Sequence, residues 1–166
     1  IDKDYAHFLL AMCFYETIVD ETKDLEAIRK SKKEFEFIIQ NYPNTDYAKD
    51  AKYKIDLINN ILAAKELYLG KYYLDRKKWI PAINRFKTIV IKYDTSEVVE
   101  EALLRLIEVY YIIGLEEESK KYANILGYNY QSSEWYKYSY EIFNKKYTNS
   151  IQKKKKIDLL KKFRKL

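Results

Sequence analysis

The stretch Asn41-Tyr42-Pro43-Asn44-Thr45-Asp46-Tyr47-Ala48-Lys49-Asp50-Ala51 ends one helix and begins another. Behind it, Phe35, Ile38, Ile39 and Tyr42 fall at helical spacing and form an apolar face; ahead of it, Tyr47, Ala51, Ile55 and Ile58 do the same. Pro43 cannot continue the first helix, because its ring clashes with the preceding turn and it lacks a backbone donor. Asn44 or Thr45 is then placed to cap the second helix by accepting a bond from its free N–H groups. The segment recurs. Phe86, Ile89, Val90, Tyr93, Asp94-Thr95-Ser96, Val98 and Ala102 repeat it at an offset of 51, and Asn129-Tyr130-Gln131-Ser132-Ser133-Glu134-Trp135 matches Asn41 to Tyr47 at an offset of 88. Three such junctions define a helical repeat, and repetition outranks any single motif as a fold signal.

Composition agrees. Hydrophobic residues make up 48% of the 166, enough to bury a sizeable core, while three glycines and two prolines leave little room for hairpins of strand. Eighteen tyrosines suit interfaces in which a ring is buried and its hydroxyl reaches a polar partner; the richness in Lys, Ile, Tyr and Asn also fits an AT-rich genome. The formal charge of +6 is concentrated at one end: residues 151–166 hold eight Lys or Arg against Asp158, leaving 23 basic and 24 acidic groups in residues 1–150. The folded part therefore lacks the contiguous positive face that phosphate binding requires, and no nucleic-acid partner is expected.

In chain order, Tyr5, Phe8, Leu9, Met12, Cys13, Tyr15 and Ile18 predict a first helix with a broad apolar face, which places Cys13 as a small core residue. Asp20, Glu21 and Asp24 mark a polar connection, with Asp24 a candidate cap for the helix carrying Ile28, Ser31, Phe35 and Ile38. The helix after the first junction runs unbroken from Tyr47 to about Asp75, and Gly70 within it needs a packing reason to offset a cost of about 1 kcal/mol against Ala. One follows from spacing. Leu69, Gly70, Tyr73, Ala82 and Phe86 fit the large-and-small pattern of a tetratricopeptide repeat, with Trp79 opening the second helix and Pro81 tolerated in its first turn. Leu103, Leu106, Ile107, Tyr110 and Ile113 before Gly114, then Ser119, Tyr122, Ala123 and Leu126 before Gly127, make another pair with both glycines as left-handed helix ends. Trp135, Tyr138, Tyr140 and Phe143 predict a capping helix. The expected fold is all-α: tandem tetratricopeptide-type hairpins in a right-handed superhelical array, about three repeats plus a cap over residues 1–147, then a basic amphipathic tail over 148–166.

No catalytic constellation is present, and neither a cofactor nor a metal is expected. His7 has no Cys or His at ligand spacing, the glycines form no phosphate-cradling loop, and Glu116-Glu117-Glu118 sits where a helix begins and complements its dipole. Leu10-Ala11-Met12-Cys13 superficially resembles a lipoprotein cleavage box, but Met12 is the wrong size and Asp2 and Asp4 stand where basic residues belong. The chain opens on Ile1 with no targeting segment, which reads as a mature or trimmed chain whose export signal is out of view. In the tail, Ile157, Leu159, Leu160, Phe163 and Leu166 gather opposite the lysines of a helical wheel. That pattern suits an anionic membrane surface or a partner groove, and equally a solvated terminus.

Together these residues resemble the BamD family, the tetratricopeptide-repeat lipoproteins of the outer-membrane β-barrel assembly machinery, in an alphaproteobacterial-like form. The matching residues are Tyr42-Pro43-Asn44-Thr45, Tyr47 and Asp50-Ala51; Leu62-Ala63 and Glu66; Tyr72-Tyr73 and Arg76; Trp79, Ala82 and Asn84-Arg85; then Tyr93, Thr95, Ala102-Leu103, Tyr110 and Gly114. The resemblance covers about Asp24 to Leu126 and corresponds to the C-terminal part of the family chain. It implies a non-enzymatic scaffold on the periplasmic face of the outer membrane of a Gram-negative bacterium, holding BamA through a POTRA domain and meeting accessory lipoproteins and unfolded outer-membrane proteins. The N-terminal repeats implied to receive substrate signals are outside this chain. The resemblance further implies that Arg85 pairs with a POTRA carboxylate, with Asn84 beside it and Arg76 and Trp79 as secondary contacts. On that reading Arg85→Glu weakens BamA binding and leaves the melt nearly unchanged. The alternative is a generic periplasmic repeat protein gripping extended peptides in a concave groove.

Overall fold

The computed structural model describes residues 3–17 and 25–143, and every regular element among them is an α-helix. The helices are α1 (Lys3–Glu16), α2 (Glu26–Asn41), α3 (Asp46–Asp75), α4 (Trp79–Lys92), α5 (Val99–Ile112), α6 (Glu116–Asn129) and α7 (Glu134–Phe143). The connection holding Asp20, Glu21 and Asp24, together with Ile18 and the tail, lies outside the described residues. Of the cap proposed for α2, only its successor is visible: Leu25 occupies the N-cap and makes no side-chain bond.

The three junctions are three copies of one turn. Each preceding helix ends on a tyrosine, Tyr42, Tyr93 or Tyr130, with φ between −133° and −136° and ψ between 43° and 49°. In each, the tyrosine N–H donates to the carbonyl four residues back at 2.8–2.9 Å, and its own carbonyl accepts from the residue three ahead: Thr45, Ser96 or Ser133, at 3.2, 3.0 and 3.1 Å. Thr45, rather than Asn44, caps α3: its hydroxyl accepts from the Ala48 N–H at 3.3 Å and donates to the Tyr42 carbonyl at 3.0 Å. Pro43 is absent from the second and third copies, so the turn rests on this bonding rather than on a proline.

Between junctions the chain folds back as hairpins. Ser31 donates to the Ala11 carbonyl at 2.9 Å across α1 and α2, and Ser119 donates to the Ile107 carbonyl at 2.8 Å across α5 and α6. Both serines are buried at positions equivalent to Ala82 of α4, where small side chains let helices approach. In the α3–α4 hairpin the small residue is Gly70: a methyl there would lie 2.8 and 2.9 Å from two carbons of the buried Phe86 ring. This is the packing reason its place in a helix demands. The chain divides into two compact units, Ile1–Ala102 and Leu103–Leu166. The first is centred on Ala11, Ile28, Phe35, Ile38, Ala48, Ala51, Ile58 and Leu62. In the second, Tyr110 stacks on Tyr122 with ring planes 5° apart, and Phe143 of α7 meets Tyr111 edge-on.

Two expectations are corrected. Cys13 is exposed, not core: α1 buries Ala11 and half-buries Phe8, Met12 and Tyr15 against its neighbours, and Cys13 turns to the opposite side with Leu9. Gly127 does not end a helix; α6 continues to Asn129, and the glycine instead accommodates Tyr136, whose ring carbon would sit 2.7 Å from an added methyl. Gly114 does end α5 in the left-handed region, at φ +83°, with the Leu115 N–H reaching Tyr110 O and the Gly114 N–H reaching Tyr111 O. α3 ends by the same bonds, Lys78 N–H to Tyr73 O and Lys77 N–H to Leu74 O, but there the left-handed residue is Lys77, at φ +57°.

Candidate partner-binding surface

The residues singled out by the sequence all lie on the α3–α4 hairpin. Arg85 projects from the middle of α4, and its Nη1 donates to both carboxylate oxygens of Glu66 on α3, at 3.1 and 3.3 Å. The Arg85 side chain is 40% exposed and that of Glu66 18%, so the pair sits at a boundary where screening limits its contribution to under about 1 kcal/mol. Its value is geometric. One nitrogen of a five-donor guanidinium is engaged from below, and a second carboxylate matches the planar fork better than it would a lysine. Glu66 also acts on Tyr93, whose phenol is held above its ordinary 10.0 chiefly by burial, with the Glu66 charge adding and the Arg29 charge opposing.

The Glu66 pair changes what charge reversal at Arg85 does. Glutamate at that position faces a half-buried carboxylate, so Arg85→Glu perturbs the hairpin as well as any partner contact. Arg85→Gln keeps a donor for Glu66 and isolates the loss of charge.

Asn84 is exposed, and its carbonyl accepts from the Thr88 hydroxyl at 2.9 Å. Arg76 stands at the other end of the hairpin. Its guanidinium lies 3.6 Å over the Tyr72 ring centre while Nη1 donates to the Tyr72 carbonyl at 3.3 Å, an arrangement that complements the C-terminal end of α3. Trp79 is half-buried as the first residue of α4. The structure thus couples Asn84 and Arg85 on one helix and assigns Arg76 to the helix end. Glu66 is the candidate-site residue to which the sequence gave no role, although it is among the residues that carry the family resemblance; its partner Arg85 is evident only across the folded hairpin.

A second concavity lies between α6 and α7. This open groove of about 590 Å³ is lined by Asn124, Tyr128, Gln131, Tyr136, Tyr140 and Phe143 among others, and Tyr128 and Tyr140 are strongly exposed beside it. His7 bonds Glu34 at 2.7 Å through Nδ1 and rests on Phe37, a structural histidine between α1 and α2. No group of three His, Cys, Asp or Glu among the described residues is arranged to hold a metal. No described helix is long and apolar enough to cross a membrane.

Comparison with known proteins places this geometry in a family. The profile of YfiO, described as an outer membrane lipoprotein, matches residues 1–126. The outer membrane protein assembly factor BamD of Rickettsia prowazekii is 45% identical over 149 residues, which cover 90% of this chain and 59% of that protein. The BamD of Caulobacter vibrioides is 41% identical over 140 residues, covering 84% of this chain and 46% of that protein, and the BamD of Vibrio cholerae is 28% identical over 128 residues, covering 77% and 51%. The chain thus spans roughly half the length of the relatives it matches. Those names denote an assembly factor, not an enzyme, and two of the organisms are alphaproteobacteria. With its repeated junctions, small-residue hairpin contacts and this match, the chain belongs to the YfiO/BamD family of outer-membrane lipoproteins.

Proposed function

We propose that this chain is the part of a non-catalytic scaffold that supports folding and insertion of outer-membrane proteins by holding the periplasmic POTRA region of BamA. The relatives' printed role in outer membrane protein assembly supports the process, and with it a place at the periplasmic face of the outer membrane of a Gram-negative bacterium. The observation that carries the contact is Arg85, a partly exposed guanidinium held in position by one carboxylate through one nitrogen. Asn84 lies beside it as a hydrogen-bonding neighbour. Accessory Bam lipoproteins and unfolded outer-membrane proteins are proposed as further partners of the assembled complex. Residues 1–147 serve as the repeat array, and 148–166 as a separate basic tail.

The test is calorimetric titration of a cognate BamA POTRA fragment into the wild-type chain and into Arg85→Gln. We expect the variant to bind at least about fivefold more weakly, the loss associated with a charge-assisted bond, with its melting temperature within a degree or two of wild type. Equal affinity overturns the assignment. The α6–α7 groove favours a second reading, in which extended peptides lie across its tyrosines as in other aromatic-lined peptide sites. Short peptides that bind the chain and compete with one another for that groove would support it.

A further inference from the structure

The groove between α6 and α7 is open over an aromatic surface, and the chain continues past α7 from its rim. Tyr128 is 86% exposed and Tyr140 62%, and both line the opening of about 590 Å³ together with Gly127, Tyr136 and Phe143. One exposed aromatic side chain needs no explanation, whereas two beside the same concavity form an apolar patch. Gly127 lies against Tyr136 across the Tyr130 junction, so the two helices run antiparallel, and Phe143 at the end of α7 returns to the side of Lys120 and the start of α6. That end of the groove is acidic. Glu116, Glu117 and Glu118 fill the first turn of α6, and at 100° per residue Glu116 and Glu117 fall on the same side as the lining residues Lys120 and Asn124. Over residues 116–143, five carboxylates outnumber three lysines.

Residues 144–166 carry the complementary chemistry. They hold ten Lys or Arg against Asp158, beginning with Lys145 and Lys146 just past α7. On a helical wheel Leu159, Leu160, Phe163 and Leu166 gather within about 120°, with Lys161 and Lys165 opposite. We propose that segment 157–166 of this chain is the resident occupant of the α6–α7 groove, seating Leu160 and Phe163 against Tyr128 and Tyr140 and turning its cations toward Glu116, Glu117 and Glu118. Reach is no obstacle. The 13 residues 144–156 span up to about 43 Å when extended, twice the roughly 21 Å length of α6. The tether also decides between occupants: a segment joined to the rim by such a linker meets the groove at an effective concentration of about a millimolar, so a weak apolar contact fills in cis ahead of a dilute free peptide. A bilayer competes from the other side, because the same apolar stripe among lysines suits an anionic lipid surface. The inference stands apart from the BamA contact. It bears on the peptide reading of this groove, which an extended peptide enters only by displacing the tail.

The experiment follows amide hydrogen exchange by mass spectrometry in the whole chain, in Phe163→Lys and in Tyr128→Lys/Tyr140→Lys. Tyr128 and Tyr140 are exposed and Phe163 lies beyond α7, so the melts are expected to hold. Amides of residues 157–166 are expected to exchange at least about tenfold more slowly in the wild type than in either variant, at a rate independent of protein concentration. A benzophenone amino acid placed at Leu160 is expected to attach to α6 or α7 of the same molecule, giving a product that runs as a monomer. Equal exchange in all three chains, or a crosslink that misses both helices, overturns the proposal. Protection that appears only as concentration rises, with crosslinked dimers, gives the groove to the tail of a second copy and overturns occupancy in cis. Protection that requires phosphatidylglycerol vesicles and survives Tyr128→Lys/Tyr140→Lys gives the tail to lipid and overturns it equally. If the double variant melts low, Phe163→Lys decides the matter by itself.

Discussion

Lys77 holds a conformation that its neighbours at equivalent helix ends leave to glycine. It closes α3 at φ +57° with the same pair of backbone bonds that Gly114 makes at the end of α5. A side chain in the left-handed region costs roughly 1 kcal/mol through crowding between Cβ and the backbone. Lys77→Gly therefore stabilises the protein by about 1 kcal/mol, raising the melting temperature by about 2–4 °C in a thermal scan followed by circular dichroism; a lower melting temperature would show that the lysine side chain contributes something the geometry does not display. The residue scale is also where sequence reading fell short. Gly70 was legible because glycine inside a long helix demands a close neighbour, and Phe86 supplies it. Gly127 plays the same part inside α6 but reads as a helix end, because nothing in the local pattern reveals that Tyr136 of the next helix leans on it. Cys13 was misplaced for a related cause: α1 is apolar on more of its surface than its neighbours cover.

At the scale of elements, the three junctions carry most of what the sequence says about the fold. Tyrosine at the helix end and a hydroxyl residue three positions on were visible as a repeated pattern, and the structure gives each pair the same dihedrals and the same bonds. The hydroxyls themselves are not equivalent. Thr45 caps α3 and also bonds Tyr42, and Ser133 accepts from the Trp135 N–H at 3.1 Å, whereas the Ser96 hydroxyl is buried and finds no partner among the described residues. Two substitutions separate these roles. Thr45→Ala removes a cap and costs about 1 kcal/mol, while Ser96→Ala removes a buried hydroxyl that lacks a partner and is neutral or stabilising. Chemical denaturation of the two variants checks this, and a larger loss at Ser96 than at Thr45 would mean the turns are held by something other than their caps.

At the scale of the molecule, the helical repeat was readable because spacing survives in one dimension, whereas the binding surface was readable only in part. Arg85 and Asn84 were identified through family resemblance, yet Glu66, which orients Arg85, became evident only when α3 and α4 were seen side by side. Ile80 and Ile91 were invisible for a physical reason: isoleucine in a helix reads as core, and only the folded hairpin shows that this pair faces away from it. The reading under test is that α4, at Asn84 and Arg85, meets a folded BamA domain, in contrast to extended polypeptide gripped between α6 and α7. The most direct measurement places a photo-crosslinking amino acid at Asn84 in the full-length protein in living cells, with a second probe at Tyr128 beside the α6–α7 groove. One dominant crosslinked product at Asn84, containing BamA, is expected; a ladder of outer-membrane polypeptides captured at Tyr128, with no product at Asn84, would overturn that reading.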